Sequence, residues 1–186
     1  MRLIKKSPLR RLASHLRYVI ARLWHFRGMR GAWNGIIDSD CSIFVLEGGS
    51  IRTGKRLCLS KGSELQARGE LVLGNNVFLN QNTRIVSFER ITIGDDCLFG
   101  AGITVLDHDH ATEFDGDKII RGSFQTAPIA IGNNVWVGEK VTILRGVTIG
   151  DNTTIAAHAV VTRDIPANCI AGGMPAKPIR ELGNQT

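Results

Sequence analysis

Aromatic side chains account for only 6% of these 186 residues, too few for a core built around large rings. Cysteine is sparser still. Cys41, Cys58, Cys97 and Cys169 lie far apart with no CxxC pair, so the sequence offers no clustered zinc site. They are read as reduced structural residues of a cytosolic chain. No uninterrupted apolar stretch approaches the roughly 20 residues of a membrane-spanning helix. The basic start MRLIKKSPLRR is followed by neither an apolar core nor a small-residue cleavage site, so no secretory signal is expected. Acid is absent until Asp38: residues 1–37 carry nine Lys/Arg and no Asp/Glu, a charge of +9. The remainder holds 14 basic and 17 acidic side chains, a charge of −3, so the overall +6 belongs to an appendage on a mildly acidic body. Glycine, by contrast, is plentiful at 21 residues, which suits tight corners and thin stacked layers. The balance of 43% hydrophobic and 22% charged residues is that of one soluble domain and argues against general disorder.

The strongest pattern is an internal repeat. In IGNNVWVGEKVTILRGVTIGDNTTIAAHAVVT an aliphatic residue recurs every six positions: Ile131, Val137, Ile143, Ile149, Ile155 and Val161. Two residues before each comes a second series: Ile129, Val135, Val141, Val147, Thr153 and Ala159. Such pairs place both side chains on one face of a strand, and helical spacing is absent. Upstream the main positions are Thr53, Leu59 and Leu65, then Leu73, Leu79 and Ile85, then Ile93, Phe99 and Val105. The spacing is six within each group, eight between groups, and 26 from Val105 to Ile131. Extra residues thus enter after every third rung, so three rungs make one turn and one corner tolerates insertions. Fifteen rungs give five turns, with a partial sixth around Ile43 and Val45. The fold expected is an all-β solenoid, a parallel β-helix of about five to six triangular turns stacked at about 4.8 Å. An antiparallel sandwich explains alternation but not a strict period of six.

Residues 8–27 read as an amphipathic helix, with Ser7 as its N-cap, Pro8 in its first turn, and Gly28 and Gly31 ending it. Leu9, Leu12, Leu16, Val19, Ile20 and Leu23 form its apolar stripe; Arg10, Arg11, Arg17, Arg22 and Arg27 lie off it or at its margin. Two roles fit: a cap or subunit contact, and a surface helix lying on anionic lipid. No nucleic-acid recognition motif accompanies the charge. The paired prolines Pro175 and Pro178 break the repeat. The expected organisation is an N-terminal helix and cap over 1–37, the solenoid over 38–174 with a protruding loop at 107–128, and a C-terminal tail over 175–186.

That loop holds the most polar cluster, DHDHATEFDGDKIIRGS. His108 and His110, two of five histidines, sit at i and i+2 and point the same way on an extended segment, with Asp107 and Asp109 opposite. Histidine is suited to taking a proton near neutral pH, and a sugar hydroxyl is a poor nucleophile until a base removes its proton.

Over about residues 50–182 the chain resembles the hexapeptide-repeat acyltransferases, above all the galactoside, maltose and nodulation-type sugar O-acetyltransferases. The stretches IGNNVWVGEKVTILRGVTIGDN and VVTRDIPANCIAGGMPAKPIREL carry the resemblance. It implies a left-handed coil, homotrimers with active sites between neighbouring subunits, acetyl-CoA as donor and no metal. It also implies a catalytic histidine in the insertion, which ungapped continuation from ITIGDDCLFGAGITVL places at His110, with His108 as the alternative. It assigns acceptor binding to Asn80, with Asn82 the near alternative. Contacts to coenzyme A are implied for Trp136, Ala157, Thr162, Lys177 and Arg180. Glu139 departs from the small residue of the close relatives. The activity implied is direct transfer of acetyl to a sugar hydroxyl, the preferred acceptor being a lipid-linked saccharide or polysaccharide precursor. Cytoplasmic residence is expected from the reduced cysteines, and the lipid-binding role of the helix, as against the cap, would place the enzyme peripherally at the inner face of the membrane. Two rivals remain: a zinc-dependent carbonic-anhydrase-like enzyme using His108, His110 and His158, and a non-catalytic trimeric scaffold.

Overall fold

Short apolar pairs followed by a small or left-handed residue cannot extend into long strands, so the chain turns every six residues and stacks on itself. The computed structural model describes residues 8–25 and 27–183, and the expected Ser7 cap lies outside them. Three parallel sheets result, here called faces A, B and C. Face A stacks Met29–Gly31, Ser50–Thr53, Glu70–Leu73, Arg90–Ile93, Ile129–Ile131 and Thr148–Ile149. Face B stacks Ile36–Ile37, Cys58–Leu59, Phe78–Leu79, Leu98–Phe99, Trp136–Val137, Thr154–Ile155 and Cys169–Gly173. Face C stacks Ser42–Val45, Glu64–Ala67, Arg84–Ser87, Thr104–Leu106, Thr142–Ile143 and Val160–Val161.

All fifteen rung residues from Thr53 to Val161 are buried, and Leu59, Leu65, Phe99, Val105 and Ile155 are fully so. The coil completes six turns and begins a seventh, extending at both ends beyond the five counted from the repeat. The first turn contains the partial sixth expected around Ile43 and Val45, and its face A rung escapes the repeat because glycine occupies it, Gly31 lying beside Thr53 in register. It begins at Met29, upstream of the expected boundary at residue 38. The seventh escapes it because Ile165 follows Val161 by only four residues, yet bridges to Ile149, while Ala171 pairs with Ile155. The tail Ala176–Glu181 folds back antiparallel on Cys169–Gly173 and closes that end.

The corner between faces A and B is held by a ladder of Asx side chains. The Lys55 N–H donates to Asn75 Oδ1 (2.9 Å), Asn75 N–H to Asp95 (2.7 Å), Asp95 N–H to Asn133 (2.9 Å) and Asn133 N–H to Asp151 (2.7 Å). Each corner then passes through a left-handed residue, such as Asn76, Asp96, Asn134 and Asn152, a conformation that asparagine tolerates. The two hydrogen bonds from Asn75 hold the Asp95 carboxyl below the usual carboxylate range.

The N-terminal helix, α1 (Pro8–Trp24), lies over the first turn. It stops short of residue 27 because the Gly28 and Met29 N–H groups both donate to the His25 carbonyl, turning the chain into face A. The surface it docks is not the leucine stripe. Ser14 and Tyr18 are buried, and Ala21 packs against the core beside them. The Tyr18 hydroxyl donates to the Ala32 carbonyl (2.6 Å) and shares a hydrogen bond with Thr53 Oγ1 (2.9 Å), so its ring plugs the open end of the coil. Gly35 permits this approach, because a Cβ there would run into the Tyr18 ring. Tyr18→Phe, which removes only the hydroxyl and leaves two acceptors at the plug, is expected to cost about 1 kcal/mol in thermal or denaturant unfolding.

Candidate active site

The insertion after the turn-four strand of face C is ordered as a β-hairpin, His108–Asp115 paired with Lys118–Thr126. Its base is built around Asp107, which is fully buried. Asp107 accepts hydrogen bonds from the backbone N–H groups of Phe88 (2.7 Å), Glu89 (2.9 Å) and Arg90 (2.9 Å) and from Ser87 Oγ (3.1 Å). A single carboxylate thus satisfies the whole preceding corner between faces C and A. The sequence signal for it was weak: one Asp among several in a polar run.

Asp107 also touches the first histidine, His108 Nδ1 lying 3.3 Å from Asp107 Oδ1. The His108 ring stacks on Phe88 (centroids 3.6 Å apart, planes 9° apart), and Arg68 covers the Phe88 ring at 4.7 Å. Its side chain is only 13% exposed. His110 is on the same side of the strand, as alternation requires: both rings meet Phe124 of the return strand, at 5.6 Å and 4.4 Å. His110 is exposed, however, and its ring is set against Phe124. A bulge follows at once, with Ala111 buried between His110 and Thr112.

Arg145, at the same corner one turn on, fastens both hairpin strands. It donates through Nε to Asp109 (2.7 Å) and through a terminal nitrogen to Gln125 (3.0 Å). Asp109 and Gln125 face each other in the hairpin, beside the His110–Phe124 pair. Arg145→Ala is expected to leave the melting temperature nearly unchanged, because an exposed pair contributes about 0–1 kcal/mol. It should lower turnover by roughly tenfold by loosening the histidine strand, and Arg145→Lys should restore little of it.

The other sequence candidates lie elsewhere. In a triangular section the corner between faces C and A is the vertex opposite face B. Trp136 is on face B, 56% exposed between buried Val135 and Val137. Asn80, Asn82 and Ala157 are at the corner between faces B and C. Asn80 Oδ1 accepts from the Gln81 N–H (2.8 Å), while Asn82 takes the left-handed corner position with φ 56°. Lys177 and Arg180 are exposed on the folded-back strand that continues face B. Trp136, Thr154, Ile170 and Arg180 are successive register partners, so Arg180 stands about 14 Å along the face from Trp136. Glu139 is exposed at the corner beyond Val137. Thr162 does not accompany Ala157: it lies at the far end of face C, on the hairpin's own corner two turns on. His158 occupies a left-handed position at the corner between faces B and C, apart from His108 and His110. Among the described residues, no three His, Cys, Asp or Glu side chains converge as a metal-binding group.

The outward residues of face B form a largely apolar column: Ile36, Cys58, Phe78, Leu98, Trp136, Thr154 and Ile170 in register. Faces A and C instead carry ion pairs, Arg52 and Arg90 with Glu70 on A and Arg84 with Glu64 on C. Burial pushes the Cys97 thiol up to about 11 and raises those of Cys41 and Cys169, so none of these three is a thiolate nucleophile at neutral pH.

Residues 128–163 match the family described as bacterial transferase hexapeptide (six repeats), and residues 90–105 match the hexapeptide repeat of succinyl-transferase. The chain is 32% identical over 152 residues to the putative lipopolysaccharide biosynthesis O-acetyl transferase WbbJ of Escherichia coli (strain K12), a match spanning 77% of this chain and 78% of that one. It is 42% identical over 113 residues to the galactoside O-acetyltransferase of the same organism, spanning 61% of this chain but only 55% of that enzyme. Among solved structures, a galactoside acetyltransferase in complex with coenzyme A is 28% identical with a TM-score of 0.64, covering 100% of this chain and 86% of that one. A hexapeptide-repeat acetyltransferase from Vibrio cholerae O1 biovar eltor, complexed with acetyl-coenzyme A, is 26% identical with a TM-score of 0.64, covering 91% and 78%.

Proposed function

Because the chain belongs to the hexapeptide-repeat acyltransferases, we propose that it moves an acetyl group from acetyl-CoA to a hydroxyl of a saccharide, the preferred acceptor being a lipid-linked precursor in the cytoplasm. The observation that carries the reading is the hairpin base. Two histidines are held on one side of a strand by Asp107, Phe88, Phe124 and Arg145, at an outward-facing corner where a substrate has access.

His110 is the general base. Its imidazole takes the proton from the acceptor hydroxyl as the oxygen forms a bond to the thioester carbonyl carbon. The carbonyl π electrons move onto oxygen, where backbone N–H groups stabilise them. The C–S bond then breaks, and the thiolate leaves and takes a proton. No covalent enzyme intermediate is needed. His108, covered by Phe88, sets the position of the strand beneath.

The donor lies along face B of a neighbouring copy. Trp136 borders the pantetheine arm, the Ala157 N–H bonds to it, and Lys177 and Arg180 meet the phosphates, where positive charge has a direct electrostatic reason. Asn80, with Asn82 beside it, meets the acceptor. The histidine corner and face B are vertex and opposite side of one triangle, so one copy cannot bring them together. The apolar column on face B supplies the surface for a second copy, and three copies close the ring as a homotrimer. Thr162, on the histidine corner, reaches the arm from the copy opposite the one that supplies Ala157.

A second reading of the base rests on the Asp107–His108 contact. A carboxylate at Nδ1 fixes the tautomer and leaves Nε2 to accept a proton. In that case His108 is the base. The test is thiol release from acetyl-CoA with and without a panel of saccharide acceptors. Acceptor-dependent release supports the reading. Coenzyme A binding without release for any acceptor, or no binding, overturns it.

A further inference from the structure

The docked face of α1 leaves its leucine stripe unpartnered within the chain. Leu9, Leu12, Leu16, Ile20, Leu23 and Trp24 are between 52% and 82% exposed. At 3.6 residues per turn Leu9, Leu12, Leu16 and Leu23 centre opposite Ser14, Tyr18 and Ala21, the residues that meet the coil, and Ile20 and Trp24 lie on the flank. Leu9, Leu12, Leu16 and Leu23 therefore face away from the coil's first turn, while Ile20 and Trp24 border a groove shared with Ile37, Asp38, Asp40 and Phe44. An exposed apolar surface of this extent marks an interaction site.

Charge decides what it meets. Neither α1 nor anything before Asp38 carries an acid, and residues 1–37 carry +9. Arg17 is exposed beside the stripe, and Arg30 is exposed on the first strand of the coil. Apposing the stripes of several copies would bring identical positive segments together, which is repulsive. An anionic surface is complementary. At 17 residues with interspersed arginines, α1 is neither long nor apolar enough to cross a bilayer. Its stripe, its cationic flank and a terminal tryptophan suit a helix lying in the headgroup plane.

We infer that α1 is a membrane-docking helix: its stripe inserts in-plane into an anionic lipid surface, and the coil stands on that surface by its N-terminal end. The hairpin leaves the fourth turn, three turn spacings above the first, so its base is held about 15 Å along the coil from the docked end. That height suits a reaction on a headgroup carried by a lipid.

The test is sedimentation of the full chain with vesicles, read without any acetyl transfer. The wild type is expected to sediment with vesicles of equimolar phosphatidylcholine and phosphatidylglycerol, to remain unbound with phosphatidylcholine alone, and to bind less at high salt. The double variant Leu16→Glu/Ile20→Glu should bind about a hundredfold more weakly, with unchanged melting because both side chains are exposed. Arg17→Glu should weaken binding by about tenfold. No binding to anionic vesicles, equal binding to both vesicle types, or undiminished binding by the double variant overturns the inference. So does a double variant that dissociates into smaller species, which would make the stripe a contact between copies. Deleting residues 1–27 would not serve, because it would also remove the Tyr18 plug.

Discussion

His110→Ala is expected to lower acceptor-dependent thiol release from acetyl-CoA by about two to four orders of magnitude, the usual contribution of a positioned general base. The effect should appear in kcat, with coenzyme A binding retained, because the proposed donor contacts are on face B and not at the hairpin. His108→Ala should fall by only about tenfold, through loss of the ring packed on Phe88. If His108→Ala loses as much as is expected of His110→Ala, while His110→Ala keeps most of its rate, the base is His108, oriented by Asp107. Comparable melting temperatures for the two variants would exclude unfolding as the cause of either loss.

Asp107→Ala should give the largest loss of stability, about 3–5 kcal/mol. Its carboxylate is the acceptor for three backbone N–H groups and the Ser87 hydroxyl, and Asp107 and Ser87 themselves are fully buried. Removing it leaves those donors unsatisfied, and each such group costs about 1–3 kcal/mol when buried. For a chain of this size that corresponds to a fall of roughly 10 °C in melting temperature. Asp107→Asn should lie between, since an amide keeps one acceptor but turns an N–H₂ toward donors. Circular dichroism melts of the three proteins would check the order. A melting temperature within a degree or two of wild type for Asp107→Ala would show that water reaches the corner. The same substitution removes the partner of His108 Nδ1, so activity should fall even well below the melting transition.

The rungs were legible because a parallel coil repeats one local environment many times. Every residue on the period of six from Thr53 to Val161 is inside, and the jumps of eight and 26 mark one corner, where the hairpin emerges. The strict period breaks where the coil ends. Gly31 fills a rung without a side chain, and Ile165 arrives early, so the first and seventh turns were undercounted. The i, i+2 relation of His108 and His110 was legible for the same local reason, and both rings meet Phe124. Asp107 was not. Alternation placed it opposite the histidines, whereas the chain changes direction at the hairpin base and turns that carboxylate inward against backbone groups 17 to 19 residues earlier. Arg145 was equally silent, because its partners Asp109 and Gln125 come from an insertion whose path no repeat specifies.

The sequence by itself determined the coil, its three-rung turn, the corner that accepts insertions, and the amphipathic helix, since each depends on spacing within a few residues. Only the tertiary structure decided which face of α1 is spent on the coil. Leucines spaced along a helix look like the buried side, but the open end of a solenoid one rung wide has room for one ring. Tyr18 fits it because its hydroxyl finds Ala32 and Thr53 inside. The tertiary structure also set the hairpin corner opposite face B, so that the residues of the proposed site cannot meet within one chain. Neither fact is encoded in local spacing, because each depends on how elements far apart in sequence close around a common core.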